Sequence, residues 1–115
     1  MLRGEGLHDL AELGGPLGAE QVRAVERQLL RAEHDALLPI LRRTPGPDFG
    51  RTTACPGWSV RDVLAHCAAA LTRVTTDSLH DFTPEDNEID VAERRGWPLP
   101  TLLAELASGY LGAGR

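Results

Sequence analysis

Residues 53–66 read TACPGWSVRDVLAH, and they carry the clearest structural signal in the sequence. Ser59 is followed three residues later by Asp62, which is the order of a capping box at a helix start, with Asp in place of the usual Glu. Apolar residues then recur at helical spacing up to about Thr75. The pattern predicts an amphipathic helix that begins beside Ser59 and turns one apolar face toward a core.

Three further segments carry helical signals. From Ala19 to Leu41 apolar residues recur at steps of three and four, which predicts a long first helix, and Pro39 is expected to kink or end its last turn. The residues from Asp48 to Gly57 are expected to form a loop. A short polar helix is predicted from Thr83 to Arg95, and a more apolar one from Pro100 to Tyr110. Because no strand-period segment appears, the fold class is predicted to be all-α.

The chain of 115 residues suits one domain. Residues 1–18 are rich in glycine and are interpreted as a flexible N-terminal leader, whereas residues 19–115 are interpreted as a helical domain. Three main amphipathic helices suit an up-down bundle, but the long connections and the glycine-rich end predict that the fourth helix of a full bundle is missing. A fragment of a longer gene is a further interpretation.

Charge and composition exclude several classes of partner. The formal net charge is −5 at pH 7, and no basic run could neutralise a series of nucleic-acid phosphates. No apolar stretch approaches the ~20 residues that cross a bilayer. The N-terminal residues lack the apolar core of a secretory signal. The two cysteines are too few for a disulfide framework. These features predict a cytoplasmic protein that binds neither nucleic acid nor membranes.

His66 is the first candidate site residue. It lies on the flank of the apolar face of its predicted helix, where a neutral imidazole can bind Zn²⁺ or a similar metal. Spacing alone leaves a hydrogen-bonded boundary histidine as the alternative, because a catalytic zinc site needs three protein ligands. Asp62, one turn earlier, could share an ion with His66 or serve as a first-turn capping carboxylate. His8 and His80 are expected at the surface.

Other reactive side chains have two interpretations each. Glu26 and Glu33 fall on the apolar stripe of the first predicted helix, where they face a metal cavity or pack their stems at its boundary. Cys55 precedes a helix start and is a reactive thiol or a packed loop residue. Cys67 is expected to behave as a small buried apolar residue. Trp58 is expected to fix the entry of the chain into its helix, with substrate stacking as the alternative.

The segment CPGWSVRDVLAH at residues 55–66 resembles the mycothiol-dependent maleylpyruvate isomerase N-terminal domain of the DinB-like superfamily. Further likeness at residues 83–97 extends the similarity to about residues 19–110. The resemblance implies a DinB-like four-helix bundle that binds a divalent metal, often zinc. Its ligands would be the histidine matched by His66 and a carboxylate-plus-histidine pair on a later helix, which has no counterpart in this sequence.

The resemblance also implies a thiol-dependent isomerase or transferase. In the family the metal activates the thiol of mycothiol, or a water, for attack on a small electrophilic substrate. Without the later ligand pair, we expect weakened or absent activity unless a homodimer supplies further ligands. The alternative is a non-catalytic helical module that interacts or dimerises through an open apolar face.

Overall fold

The computed structural model describes residues 18–113, and these residues form an all-α structure, which confirms the predicted fold class. The helices are α1 (Ala19–Arg43), α2 (Val60–Thr75), α3 (Pro84–Arg94) and α4 (Leu99–Ala113). None of these helices is both long and apolar enough to cross a membrane. Apart from Gly18, the predicted leader lies outside the described residues.

Two helices extend beyond their predicted ends: α1 ends at Arg43 rather than Leu41, and α4 ends at Ala113 rather than Tyr110. Pro39, which was expected to kink or end the last turn of α1, lies inside the helix and does not end it. The last turn of α1 is stabilised because Leu41 is buried. In addition, the backbone N–H of Thr44 donates to the carbonyl of Leu41, and the Thr44 hydroxyl donates to the carbonyl of Ile40. The predicted loop after α1 is also partly wrong, since a short 3₁₀ helix occupies Gly46–Gly50 and buries Phe49 in the core.

Helix α4 organises the core, because it packs against both α2 and α1. Leu102 and Leu106 of α4 are fully buried, together with Leu38 of α1 and Val91 of α3. Helix α2 contributes mainly small residues to this core, including the fully buried Ala68. Small side chains let two helix backbones approach closely, so the α2–α4 contact is tight.

Gly109 is required for the close approach of α4 to α2. A Cβ atom at Gly109 would lie 2.7 Å from the Cβ of Leu71, which cannot move without shifting the α2 backbone. We therefore expect Gly109→Ala to lower the free energy of unfolding by about 1–3 kcal/mol, the usual cost of overpacking a core. The loss should appear although Ala in a helix interior is otherwise favoured over Gly by about 1 kcal/mol.

Urea unfolding followed by circular dichroism measures this effect. Gly46→Ala is the control, because a Cβ atom there meets nothing within 4 Å. Equal stability of Gly109→Ala and the parent would contradict the tight packing of the two helices.

Candidate functional site

The start of α2 is fixed by the predicted capping box. The backbone N–H of Asp62 donates to Oγ of Ser59 (3.2 Å), and the N–H of Ser59 donates to the Asp62 carboxylate (3.1 Å). Arg95 also approaches this carboxylate, with Nε 3.2 Å from Oδ1. Burial alone would raise the pKa of Asp62, but the hydrogen bonds from Arg95 and Ser59 outweigh it and lower that pKa. Asp62 is therefore engaged in capping and ion pairing.

A tight turn leads the chain into this helix. Gly57 adopts a positive φ of 80°, and the N–H of Trp58 donates to the carbonyl of Cys55 at 3.1 Å. Proline followed by a glycine with positive φ is the order of a type II turn, which accounts for the Cys-Pro-Gly-Trp sequence on conformational grounds. The turn sets the position of Trp58 above the first turns of α2.

The ring of His66 packs against Trp58. Their ring centroids are 5.3 Å apart with an interplanar angle of 38°, and His66 is half-buried. The indole Nε1 of Trp58 lies 3.5 Å from Oε2 of Glu88, at the outer limit of a hydrogen bond to α3. Trp58 thus lies between the candidate histidine and α3. The sequence predicted a role for Trp58 at the helix entry but not its contact with His66.

Asp90 of α3 lies near His66. Arg73 of α2 donates hydrogen bonds to both oxygens of this carboxylate, with Nε–Oδ2 at 2.8 Å and Nη2–Oδ1 at 2.9 Å. The hydrogen bonds from Arg73 are the main reason that the pKa of Asp90 is lowered, and the charge of His66 adds a smaller effect. Sequence reasoning missed Asp90, because the spacing along α3 gives no sign of a partner on α2.

A second group of polar side chains joins three helices. Burial, and then the charge of Glu33 on α1, raise the pKa of Tyr110 on α4 to about 12. The same two causes raise the pKa of the Cys67 thiol on α2. Cys67 is therefore a neutral, half-buried thiol, in keeping with its predicted apolar role. Glu26 and Glu33 are both exposed, and the carboxylate of Glu33 lies near Tyr110.

The remaining candidates lie apart from His66. Cys55 is exposed at a cavity of about 290 Å³, which Trp58 and Asp62 also line but His66 does not. His34 bonds Asp35 through Nδ1 at 2.9 Å, and His80 is exposed as predicted. His8 lies outside the described residues. Among residues 18–113, neither Cys55 nor a second histidine belongs with His66 to a group of three or more side chains that could hold a metal ion.

The described residues do not form a complete metal centre. Within residues 18–113, no group of three or more His, Cys, Asp or Glu side chains is arranged to hold a metal ion. Asp62 and Asp90, on the same side of α2 as His66, are bound by arginines. Because a catalytic zinc site needs three protein ligands, the described residues do not by themselves complete a zinc site around His66.

Comparison with known proteins identifies the family. Residues 30–113 match the family described as the mycothiol maleylpyruvate isomerase N-terminal domain. This span begins inside α1 and runs through α4, so it includes His66 and all of the surrounding side chains described above. No curated protein and no solved structure matches the chain. Because the match covers well over half of the 115 residues, the chain belongs to the mycothiol maleylpyruvate isomerase N-terminal domain family.

Proposed function

We propose that this domain binds a divalent metal ion, with Zn²⁺ as the first expectation, and that the imidazole of His66 is a ligand. The observation that carries the proposal is the packing of this ring against Trp58. His66 lies on α2 in the family's motif, half-buried and packed against Trp58. Contact with Trp58 limits the orientations of the imidazole, so the ring loses less freedom when a metal binds, which favours binding.

The proposal includes a low affinity for the metal. Within residues 18–113 no group of three or more potential ligand side chains could hold the ion, so the ion would keep water molecules or take ligands from elsewhere. A thiol-dependent isomerase or transferase activity, with mycothiol as the thiol and a small electrophile as the substrate, depends on those further ligands. The two cysteines are free, which fits the reducing cytoplasm that we propose as its location.

Zinc uptake by equilibrium dialysis tests the role of His66. We expect His66→Ala to bind Zn²⁺ more than about tenfold more weakly than the parent, because even changes that only reorient a ligand cost 10- to 100-fold. His80→Ala is the matched control, since His80 is exposed and lies outside α2. Circular dichroism verifies that both variants keep their helices. Equal zinc uptake by His66→Ala and the parent would rule out His66 as a ligand.

A second candidate function is a non-catalytic interaction module. The observation that favours it is the exposure of large apolar side chains along α1, including Leu29, which is 65% exposed. Soluble monomers rarely leave contiguous apolar surface uncovered unless it is an interaction site. This function does not require a metal. The two functions are distinguished by whether His66→Ala lowers zinc uptake or leaves it unchanged.

A further inference from the structure

A cavity of about 360 Å³ lies between the last turn of α1 and the first turns of α4, and it is here called the α1–α4 groove. Its volume falls within the range of about 300–1,000 Å³ that small-molecule sites in proteins occupy. None of the residues that line it belongs to α2 or α3. The α1–α4 groove is therefore separate from His66 and from the cavity beside Cys55.

The wall of the α1–α4 groove is mainly apolar. Leu41 and Leu103 line it and also belong to the core, with 8% and 9% of their surfaces exposed. Leu99 is half-buried and Ala104 is exposed, so the apolar wall continues from the core to the solvent. A ligand that lies against this wall removes apolar surface from water, which stabilises the bound state. The groove therefore favours a ligand with a hydrocarbon part.

The α1–α4 groove is positively charged, although the whole chain has a formal net charge of −5. Arg42 lines the groove, and no Asp or Glu is among the lining residues. Within the described residues, salt bridges engage Arg31, Arg51, Arg73, Arg94 and Arg95, but not Arg42. The guanidinium group of Arg42 is thus left with its charge unmatched beside an apolar wall.

The start of α4 adds to this positive charge. Its first turn contains no acidic residue, so the partial positive charge at the N-terminal end of the helix is not balanced by a side chain. Leu99 and Pro100 of this turn line the groove. A cation at Arg42 also suits the C-terminal end of α1, and this alone accounts for an arginine there. Its place at an apolar cavity beside the start of α4 is what favours an anionic ligand.

We propose that the α1–α4 groove binds a small aliphatic carboxylate, with the hydrocarbon chain against Leu41, Leu99 and Leu103 and the carboxylate at Arg42. One guanidinium group matches one carboxylate in charge and in its paired donors. Because Arg42 is exposed, this ion pair contributes little, and we expect a Kd of about 1 mM for hexanoate. Because the groove is separate from His66, this binding goes beyond the proposed metal binding and does not depend on it.

Titration of the ¹⁵N-labelled full chain with sodium hexanoate, followed by ¹H–¹⁵N spectra, tests the proposal. The backbone amide signals of Leu41, Thr44, Leu99 and Leu103 should shift and saturate, whereas that of His66 should not move. Heptanoate should bind up to about fourfold more tightly, which is the effect of burying one further methylene group. Hexanol has the same chain length without the charge, and it should bind at the same residues but more weakly than hexanoate.

Charge reversal tests the role of Arg42. Arg42→Glu should abolish saturation by hexanoate, because it places a like charge beside the carboxylate, and it should leave hexanol binding unchanged, which verifies that the groove is intact. Arg43→Glu is the matched control, since it makes the same kind of change in the same helical turn at a residue that does not line the groove. It should lower the affinity for hexanoate less than Arg42→Glu does.

Three results would overturn the proposal. The first is an absence of shifts at the groove up to about 20 mM hexanoate, which is well above the expected Kd. The second is equal affinity for hexanol and hexanoate, since the charge of the ligand would then play no part. The third is an equal loss of hexanoate binding in Arg42→Glu and Arg43→Glu, which would indicate a response to net charge alone.

Discussion

Glu105→Ala is expected to lower the free energy of unfolding by roughly 3 kcal/mol, the low end of the cost of removing one partner of a buried ion pair. Glu105 of α4 binds Arg94 of α3 through two hydrogen bonds, Nε–Oε1 and Nη2–Oε2, each 2.7 Å long. The side chain of Arg94 is 9% exposed and that of Glu105 is 16% exposed. Removing the carboxylate leaves a guanidinium group away from water without its counter-charge.

Two contacts of Arg94 persist in the variant and keep the loss near the low end. Its Nη1 donates to the carbonyl of Asp90 at 3.1 Å, and its guanidinium carbon lies 4.8 Å from the ring centroid of Trp97. Glu93→Ala is the control, because Glu93 is an exposed glutamate beside Arg94 and its loss should change stability by less than about 0.5 kcal/mol.

Replacement of both charges separates the ion pair from the packing. Arg94→Leu combined with Glu105→Leu should recover much of the lost stability, because apolar residues often replace a buried ion pair at little cost. Urea unfolding of the single and double variants measures the difference. A Glu105→Ala variant as stable as the Glu93→Ala control would show that the pair does not hold α3 against α4.

Leu38→Ala is expected to cost about 2–5 kcal/mol, which is the range for truncating a fully buried leucine. Leu38 is 0% exposed and lies on the face of α1 that packs into the core. Leu29→Ala is the matched control, because it makes the same change in the same helix at a residue that is 65% exposed. We expect less than about 0.5 kcal/mol for Leu29→Ala in the monomer.

Thermal and urea unfolding compare the two leucine variants. The difference between them measures how strongly the inner face of α1 attaches this helix to α4. Similar losses of stability in both variants would contradict the assignment of Leu38 to the core-facing side of α1 and of Leu29 to its exposed side.

The helices could be predicted because their signals are local in sequence. The capping box of Ser59 and Asp62 marks the start of α2, and the apolar periodicity after it indicates how far the helix runs. Helix α2 ends at Thr75 as expected. The last residue of α1 was harder to predict from the sequence. Proline is tolerated inside that helix because tertiary burial of Leu38 and Leu41 on either side of it compensates for the lost hydrogen bond, and sequence periodicity does not measure burial.

The candidate site was predictable only in part. His66 was identified through a contiguous motif, and the role of Asp62 as a cap followed from its spacing from Ser59. The contact between Trp58 and His66 and the pairing of Arg73 with Asp90 depend on how a turn and two helices pack together. Such contacts join residues from separate elements, so no spacing rule along the chain reveals them. The engagement of both aspartates by arginines has the same origin.

The most direct test of metal binding at His66 is a long-range ¹H–¹⁵N spectrum of the histidine side chains during titration of the full chain with Zn²⁺. The sequence contains four histidines, so their ring nitrogens can be assigned individually with single substitutions. We predict that one ring nitrogen of His66 shifts as zinc is added, while the rings of His34 and His80 stay unchanged. Zinc addition that leaves the His66 nitrogens unshifted, or that shifts only the other histidines, would contradict the assignment of His66 as a metal ligand.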